Sequence, residues 1–306
     1  MLQTYHPQHG WQSVQTTLPT HGWLKLINPS KEEIHQVAQQ CQIATELIQA
    51  SLDPTARPRI VSKNQAHLVL THLPLPLAAT ERAPFAVMPM SIIVKDQLVL
   101  TVCQQDSQAF HDVVGQSVAT EPARLVAQLL AAGAEYFFNA LNKVEKMITT
   151  VEQELQKSIK NRQVFKLLNH NKSLIGFANS LASNVQVLNG LCAQSPLPSS
   201  SNTHNTLLDV KVATEQAHAI AATHSANLRN LMDAYSAAIE NNLSLVVQYL
   251  SIYVIIMAVP MGIAGLYGMN TPLPLQDEPY ILALLAVIGI VVASLITRAF
   301  KARSIL

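Results

Sequence analysis

Residues 241–276 contain no charged side chain, and after Asp277 and Glu278 residues 279–297 are again uncharged. Within the first run, residues 243–267 (LSLVVQYLSIYVIIMAVPMGIAGLY) are long enough to cross a bilayer as a helix. Residues 281–297 are shorter, about 17 residues or 26 Å, near the lower limit for a span. A pair of buried core helices would leave the same runs. The rest of the composition argues against that: of 306 residues, 49% are hydrophobic and only 13% charged. That is about half the usual charged share, too little to cover a soluble protein of this size. The same shortage excludes charge-rich disordered chains. A net charge of +1 supplies no field for nucleic acid, so no nucleic-acid partner is expected.

Topology follows from the charges that remain. The N-terminus, MLQTYHPQHGWQS, has neither a basic region nor an apolar core and does not read as a signal peptide. Arg298, Lys301 and Arg303 follow the second span and place the C-terminus inside. Two spans then leave the large N-terminal part in the cytoplasm as well. The expectation is a multi-pass protein of the cell (inner) membrane with both termini cytoplasmic. The connection, about residues 268–279, carries Pro272, Pro274 and Pro279 and is not helical. Cys41, Cys103 and Cys192 are scattered and odd in number, which gives no disulfide framework and no metal knuckle.

The chain reads as four parts: an α/β cytoplasmic domain over 1–120, long helices and a stalk over 121–242, a two-helix membrane domain over 243–300, and a basic tail over 301–306. In the first part, residues 23–27 and 67–73 look like strands. Ser30 followed by Glu33 is a capping box that starts a helix to about Gln40. Residues 92–94 and 98–102 form a hairpin across Lys95-Asp96-Gln97, and the Pro-rich LPLPLAAT (residues 73–80) reads as a loop or sheet edge. Helices run from Thr120, with Pro122 in the first turn, to about Cys192, with a break near 158–161. Residues 195–205 (SPLPSSSNTHN) read as a loop. From Thr206 to Val259 there is neither glycine nor proline, so one helix of roughly 90 Å is expected from Thr206 to Tyr267 at 1.5 Å per residue. Such a helix needs partners, either residues 121–192 or other copies of the chain.

The first span carries a heptad pattern. Ser244, Ser251, Ala258 and Gly265 fall on one line; Val247, Val254, Met261 and Gly268 fall on a second. The stripe is small or weakly polar. Two readings fit it equally: close helix packing in lipid, or the wall of a narrow conduit with Val247, Val254 and Met261 as apolar constrictions. Continued toward the N-terminus, the same lines pass through Asp209 and through Asp233 and Glu240, a seam too polar for a coiled-coil core but compatible with acidic rings in a wet funnel.

The first span ends Gly265-Leu266-Tyr267-Gly268-Met269-Asn270, the second follows after a short loop, and a basic tail closes the chain. This combination resembles the CorA-type magnesium transporter family, whose Gly-Met-Asn signature stands at the outer end of the first of two C-terminal spans. Trp23-Leu24-Lys25-Leu26 before Pro29, and Leu52-Asp53 before Arg57-Pro58-Arg59-Ile60, are similar to landmarks of that family's soluble domain. The resemblance implies a funnel-shaped homopentamer in the lipid bilayer that passes Mg²⁺, with Co²⁺ or Ni²⁺ as further cargo, down its electrochemical gradient and is gated by intracellular Mg²⁺. No organic cofactor is implied. Gly268, Met269 and Asn270 would be the selectivity filter; Ser244, Val247, Leu250, Ala258 and Met261 the pore-facing set; Asp233 an inner acidic ring; Asp209 a ligand of a regulatory Mg²⁺ between subunits. The partner carboxylate is Glu81 or Asp96. Where the family often has Asn and Met at the inner gate, this chain has Ser244 and Val247. Asp277 and Glu278 in the outer loop would raise the local cation concentration.

Two rival functions stand beside this. A zinc-transporting branch of the same superfamily makes a proton-coupled Zn²⁺ transporter the alternative cargo reading, with His170, His204, His218 and His224 to be weighed. A non-conducting, membrane-anchored sensor or scaffold is the alternative of another class. An enzyme is not expected: there is no P-loop, GxSxG or HExxH.

Overall fold

The computed structural model describes residues 2–6, 10–13, 18–78, 83–115, 118–157, 161–193, 200–269 and 279–302. The chain divides into two compact units, Met1–Met232 and Asp233–Leu306.

In the first unit, β1 (Leu2–His6), β2 (Gly10–Ser13), β3 (Gly22–Ile27), β4 (Arg59–Lys63), β5 (Ala66–Pro76), β6 (Phe85–Lys95) and β7 (Leu98–Cys103) form one sheet in the order β2-β1-β3-β7-β6-β5-β4. Only β3 and β7 pair in parallel. Successive side chains alternate between two covered faces. Leu24 and Leu26 of β3 and Leu98, Leu100 and Val102 of β7 meet α1 (Lys31–Gln40) and α2 (Thr45–Gln49) through Ile34, Val37, Leu47 and Ile48. Trp23, Val99 and Cys103 face the other way, toward α3 (Gln108–Gly115), α4 (Pro122–Lys157), α5 (Asn161–Ala193) and the start of α6 (Ser201–Tyr267). Burial on both faces explains why these strands read as nearly continuous apolar runs. Lys25 interrupts the run at 1% exposure; its ammonium lies 3.3 Å from the Asp106 carboxylate and 4.3 Å from the centre of the Trp11 ring. Charge pairing and the aromatic face together compensate its burial.

The expected capping box is present: Ser30 Oγ accepts from the Glu33 N–H at 3.2 Å, and the Glu33 carboxylate accepts from the Ser30 N–H at 2.8 Å. At the other end of α1, Lys95 Nζ donates to the carbonyls of Cys41 (3.1 Å) and Gln42 (2.9 Å). The expected β6–β7 hairpin is also present, with a shorter connection: Lys95 pairs with Leu98, and only Asp96, at φ 51, and Gln97 form the turn.

Residues 74–76 are strand, not loop. They pair with residues 85–87 of β6, beyond the end of β4, so the sheet is only a ribbon there. Proline is tolerated because its missing N–H falls on the unpaired side. The His72 N–H, which points the same way as the Pro74 and Pro76 nitrogens, is taken instead by Asn184 Oδ1 of α5 at 2.9 Å, while Asn184 Nδ2 donates to the His72 carbonyl at 3.0 Å. Ser173 of α5 does the same for Phe85 of β6, at 3.1 Å and 2.7 Å. Helix α5 thus satisfies the strand edge that the ribbon exposes.

The helices from Thr120 appear as expected, with Pro122 at the first position of α4. Helix α4 ends at Lys157 and α5 starts at Asn161; residues 158–160, where the break is expected, lie outside the described residues. Residues 201–205 are helical, not loop. Ser200 caps α6: its hydroxyl lies 3.4 Å from the Thr203 N–H and 3.0 Å from Thr203 Oγ1, and its carbonyl accepts from the His204 N–H at 3.1 Å. Of the residues 195–205 that read as a loop, 201–205 are a helix start, and 195–199 lie outside the described residues. Helix α6 is unbroken over 67 residues, about 100 Å. In the first unit it packs through Leu207 and Val210 into the core and through a 2.8 Å hydrogen bond from Ser225 to Asn171 of α5.

The second unit holds the remainder of α6 and helix α7 (Ile281–Ala302). The apolar part of α6 has a mean hydropathy of 2.0 with only 6% buried by the described chain, and α7 carries a shorter apolar core, Ala283–Arg298.

Candidate pore face and its surroundings

Ile256, Pro260, Ile263, Ala264 and Tyr267 of α6 face Leu285, Gly289 and Ala293 of α7 across an apolar groove. Their spacing of three and four residues puts them on one line of α6. The expected pore set, Ser244, Val247, Leu250, Ala258 and Met261, lies roughly 150° around the helix from that line, at 100° per residue. All five are exposed. Apart from Gly268, which borders the groove at the end of α6, the heptad stripe is not the surface by which α6 meets α7 in the same chain. Ser251 on this face donates its hydroxyl hydrogen to the Val247 carbonyl at 2.8 Å, which satisfies that hydrogen within the helix.

At the end of α6, the Gly268 N–H donates to the Ala264 carbonyl at 2.9 Å and the Met269 N–H to the Leu266 carbonyl at 3.2 Å. A side chain at Gly268 would put its Cβ 3.2 Å from the Ala264 oxygen. Glycine here lets the chain turn off the helix close to those carbonyls. Met269 is exposed. Asn270, Asp277 and Glu278 lie outside the described residues, as does Glu81.

Asp209, Asp233 and Glu240 are all exposed on α6. Asp96 stands in the β6–β7 turn and lines an open cleft with His67, Gln97 and Glu121. Among the described residues, no three His, Cys, Asp or Glu side chains cluster to hold a metal ion. Among the described residues, Asp209 belongs to no such cluster.

Two histidines are half-buried. His72 Nε2–H donates to the Ala56 carbonyl at 2.8 Å, so Nδ1, 3.0 Å from Ser180 Oγ, is the acceptor. Burial holds its pKa below the ordinary value, partly countered by the Ala56 hydrogen bond. Burial, and then the nearby Lys166 charge, lowers His170 likewise. The Cys103 thiol is pushed up to about 12 by burial and then by the Asp106 charge. The α6–α7 contact was not anticipated from sequence. Its signal was there, in Pro260 within the first span and Gly289 within the second.

The family model for the CorA-like Mg²⁺ transporter protein matches residues 20–301. A cobalt/magnesium transport protein CorA from Methanocaldococcus jannaschii is 25% identical over 282 residues, covering 87% of this chain and 86% of that protein. The complete structure of the CorA magnesium transporter from the same organism superposes with a TM-score of 0.81 at 21% identity, covering 98% of this chain and 96% of that one. The full-length CmaX protein shares the fold at a TM-score of 0.71 and 14% identity, covering 97% of each chain. The ZntB cytoplasmic domain from Vibrio parahaemolyticus reaches 0.53 at 11% identity over 76% of this chain and 97% of that one. With the family model matching residues 20–301, nearly the whole length, this chain belongs to the CorA-like Mg²⁺ transporter family.

Proposed function

We propose that the chain is a passive channel for Mg²⁺, with Co²⁺ and Ni²⁺ as further cargo, built as a homopentamer in the inner membrane with both termini in the cytoplasm. The observation that carries this reading is the exposed stripe of Ser244, Val247, Leu250, Ala258 and Met261, turned away from α7. Copies of α6 set around a common axis would make that stripe the wall of a conduit. Its serines and small residues admit water, and Val247 and Met261 are apolar constrictions that close by dewetting. The name of the archaeal relative supports the choice of cargo.

Mg²⁺ dehydrates reluctantly, so a filter that hydrogen-bonds its water shell suits it better than stripping ligands. The Asn270 amide and the Gly268 carbonyl supply such acceptors. The C-terminal end of α6, just before Gly268, adds the partial negative charge of its last carbonyls. Asp277 and Glu278 outside, and Asp233 inside, concentrate cations at the two ends. Asp209, exposed and without a metal cluster of its own, would bind regulatory Mg²⁺ with a carboxylate of a neighbouring copy. Bound Mg²⁺ then favours the closed state, and its loss lets the copies separate.

The test is Mg²⁺ uptake by liposomes carrying the purified protein. Asn270→Ala should abolish uptake while the oligomer still assembles, and unchanged uptake removes the assigned filter. The same vesicles with Zn²⁺ and an imposed pH gradient separate the cargo readings: a flux of Zn²⁺ that requires the gradient and ignores membrane potential would replace this proposal with a proton-coupled zinc transporter. No flux of any cation would leave a sensor or scaffold.

A further inference from the structure

Thr71 of β5 is 3% exposed, and its hydroxyl has no hydrogen-bond partner among the described residues. A buried hydroxyl left unpaired lowers stability. Beside it lies a small cavity lined by Thr71, Asn184 and Thr214, with Leu73, Leu130 and Phe137 among its apolar walls. The space open to the centre of a water molecule is about 20 Å³. One water needs roughly 10–15 Å³ by the same measure, and two to four polar partners.

The walls supply those partners. Thr214 of α6 donates its hydroxyl hydrogen to the Val210 carbonyl at 2.7 Å, which leaves oxygen lone pairs able to accept. Asn184 of α5 uses Oδ1 and one amide hydrogen on the His72 backbone, which leaves a second amide hydrogen. Thr71 has a hydrogen to give. A single water that accepts from Thr71 and donates to Thr214 satisfies the orphaned group.

We propose that this cavity is a hydration site for one structural water, which joins strand β5 to helix α6 through Thr71 and Thr214. The water acts as a polar peg on the buried side of α6, the helix that continues to Tyr267.

Thermal unfolding of the full chain in detergent tests this, followed by tryptophan fluorescence. Trp11 and Trp23, the chain's two tryptophans, both report on the first unit. Thr71→Val keeps the side-chain shape and removes the hydroxyl; Thr71→Ser keeps the hydroxyl and removes a methyl. With water in place, Thr71→Val lowers the midpoint more than Thr71→Ser does. Thr214→Val then costs less in the Thr71→Val background than alone, because the bridge is already lost. In a dry cavity the order reverses: Thr71→Val lies above the parent protein and Thr71→Ser below it, and that order overturns the proposal. A crystal structure gives the direct reading. Density for one oxygen within hydrogen-bonding distance of both hydroxyls supports the site, and an empty cavity where neighbouring waters are ordered refutes it.

Discussion

Gly289 of α7 lies against Pro260 of α6: a methyl group built on Gly289 would come within 3.9 Å of the Pro260 Cβ. Pro260 has no N–H, so the Ile256 carbonyl lacks its helical donor. A membrane helix tolerates this where a neighbouring helix covers the site, and a small residue opposite allows close approach. Gly289→Ala should leave assembly and flux near the parent level. Gly289→Leu should separate the helices at a packing cost of about 1–3 kcal/mol and cut Mg²⁺ flux. Native mass spectrometry with liposome flux checks both, and a fully active leucine variant would contradict the contact.

The stripe should be wet. Single cysteines at Ala258 and Met261 are expected to react with a charged, membrane-impermeant thiol reagent, and labelling should block flux. Cysteines at Ile256 and Ile263, on the α7-facing line, should resist. Native Cys103 will not interfere, since its thiol is buried and held protonated up to about 12. Equal labelling on both lines would argue against a pore on this face.

Asp209→Ala should weaken inhibition of flux by Mg²⁺ on the cytoplasmic side. The half-inhibiting concentration is expected to rise about tenfold, within the usual range of coupling between sites. An unaltered inhibition curve would remove Asp209 from regulation and leave conduction untouched as a reading.

Stability of the first unit should fall in acid. His72 and His170 both have folded pKa values below the ordinary histidine value of about 6.5. Below that value the unfolded chain binds protons that the folded chain does not, so unfolding free energy decreases as pH falls toward each folded value and levels off beneath it. Denaturant unfolding read by tryptophan fluorescence should show this slope. His72→Gln and His170→Gln should each flatten it, and an unchanged slope in the double variant would assign the acid sensitivity elsewhere.

The features legible in sequence were those written in local terms. The capping box at Ser30 and Glu33 needs only three residues of spacing, and it appears as read. The absence of glycine and proline from Thr206 to Val259 anticipated an unbroken helix, because nothing there interrupts the backbone ladder. The Ser/Asn/Thr cluster before it was misread, since the same side chains that favour loops also cap helices.

The amino-acid sequence by itself determined that the chain has long uncharged helices, an α/β domain and a heptad stripe of small residues ending in Gly268-Met269-Asn270. Tertiary structure decided which side of α6 meets α7, and so which side remains for the stripe. Periodicity marks a face of a helix but does not name what covers it. Tertiary structure also decided that Pro74 and Pro76 lie in a strand. Their missing N–H groups are harmless only because β4 has already ended and Asn184, far away in sequence, completes the hydrogen bonds of that edge. Hydrogen-bond satisfaction of a strand is a non-local property, which is why only the folded chain expresses it.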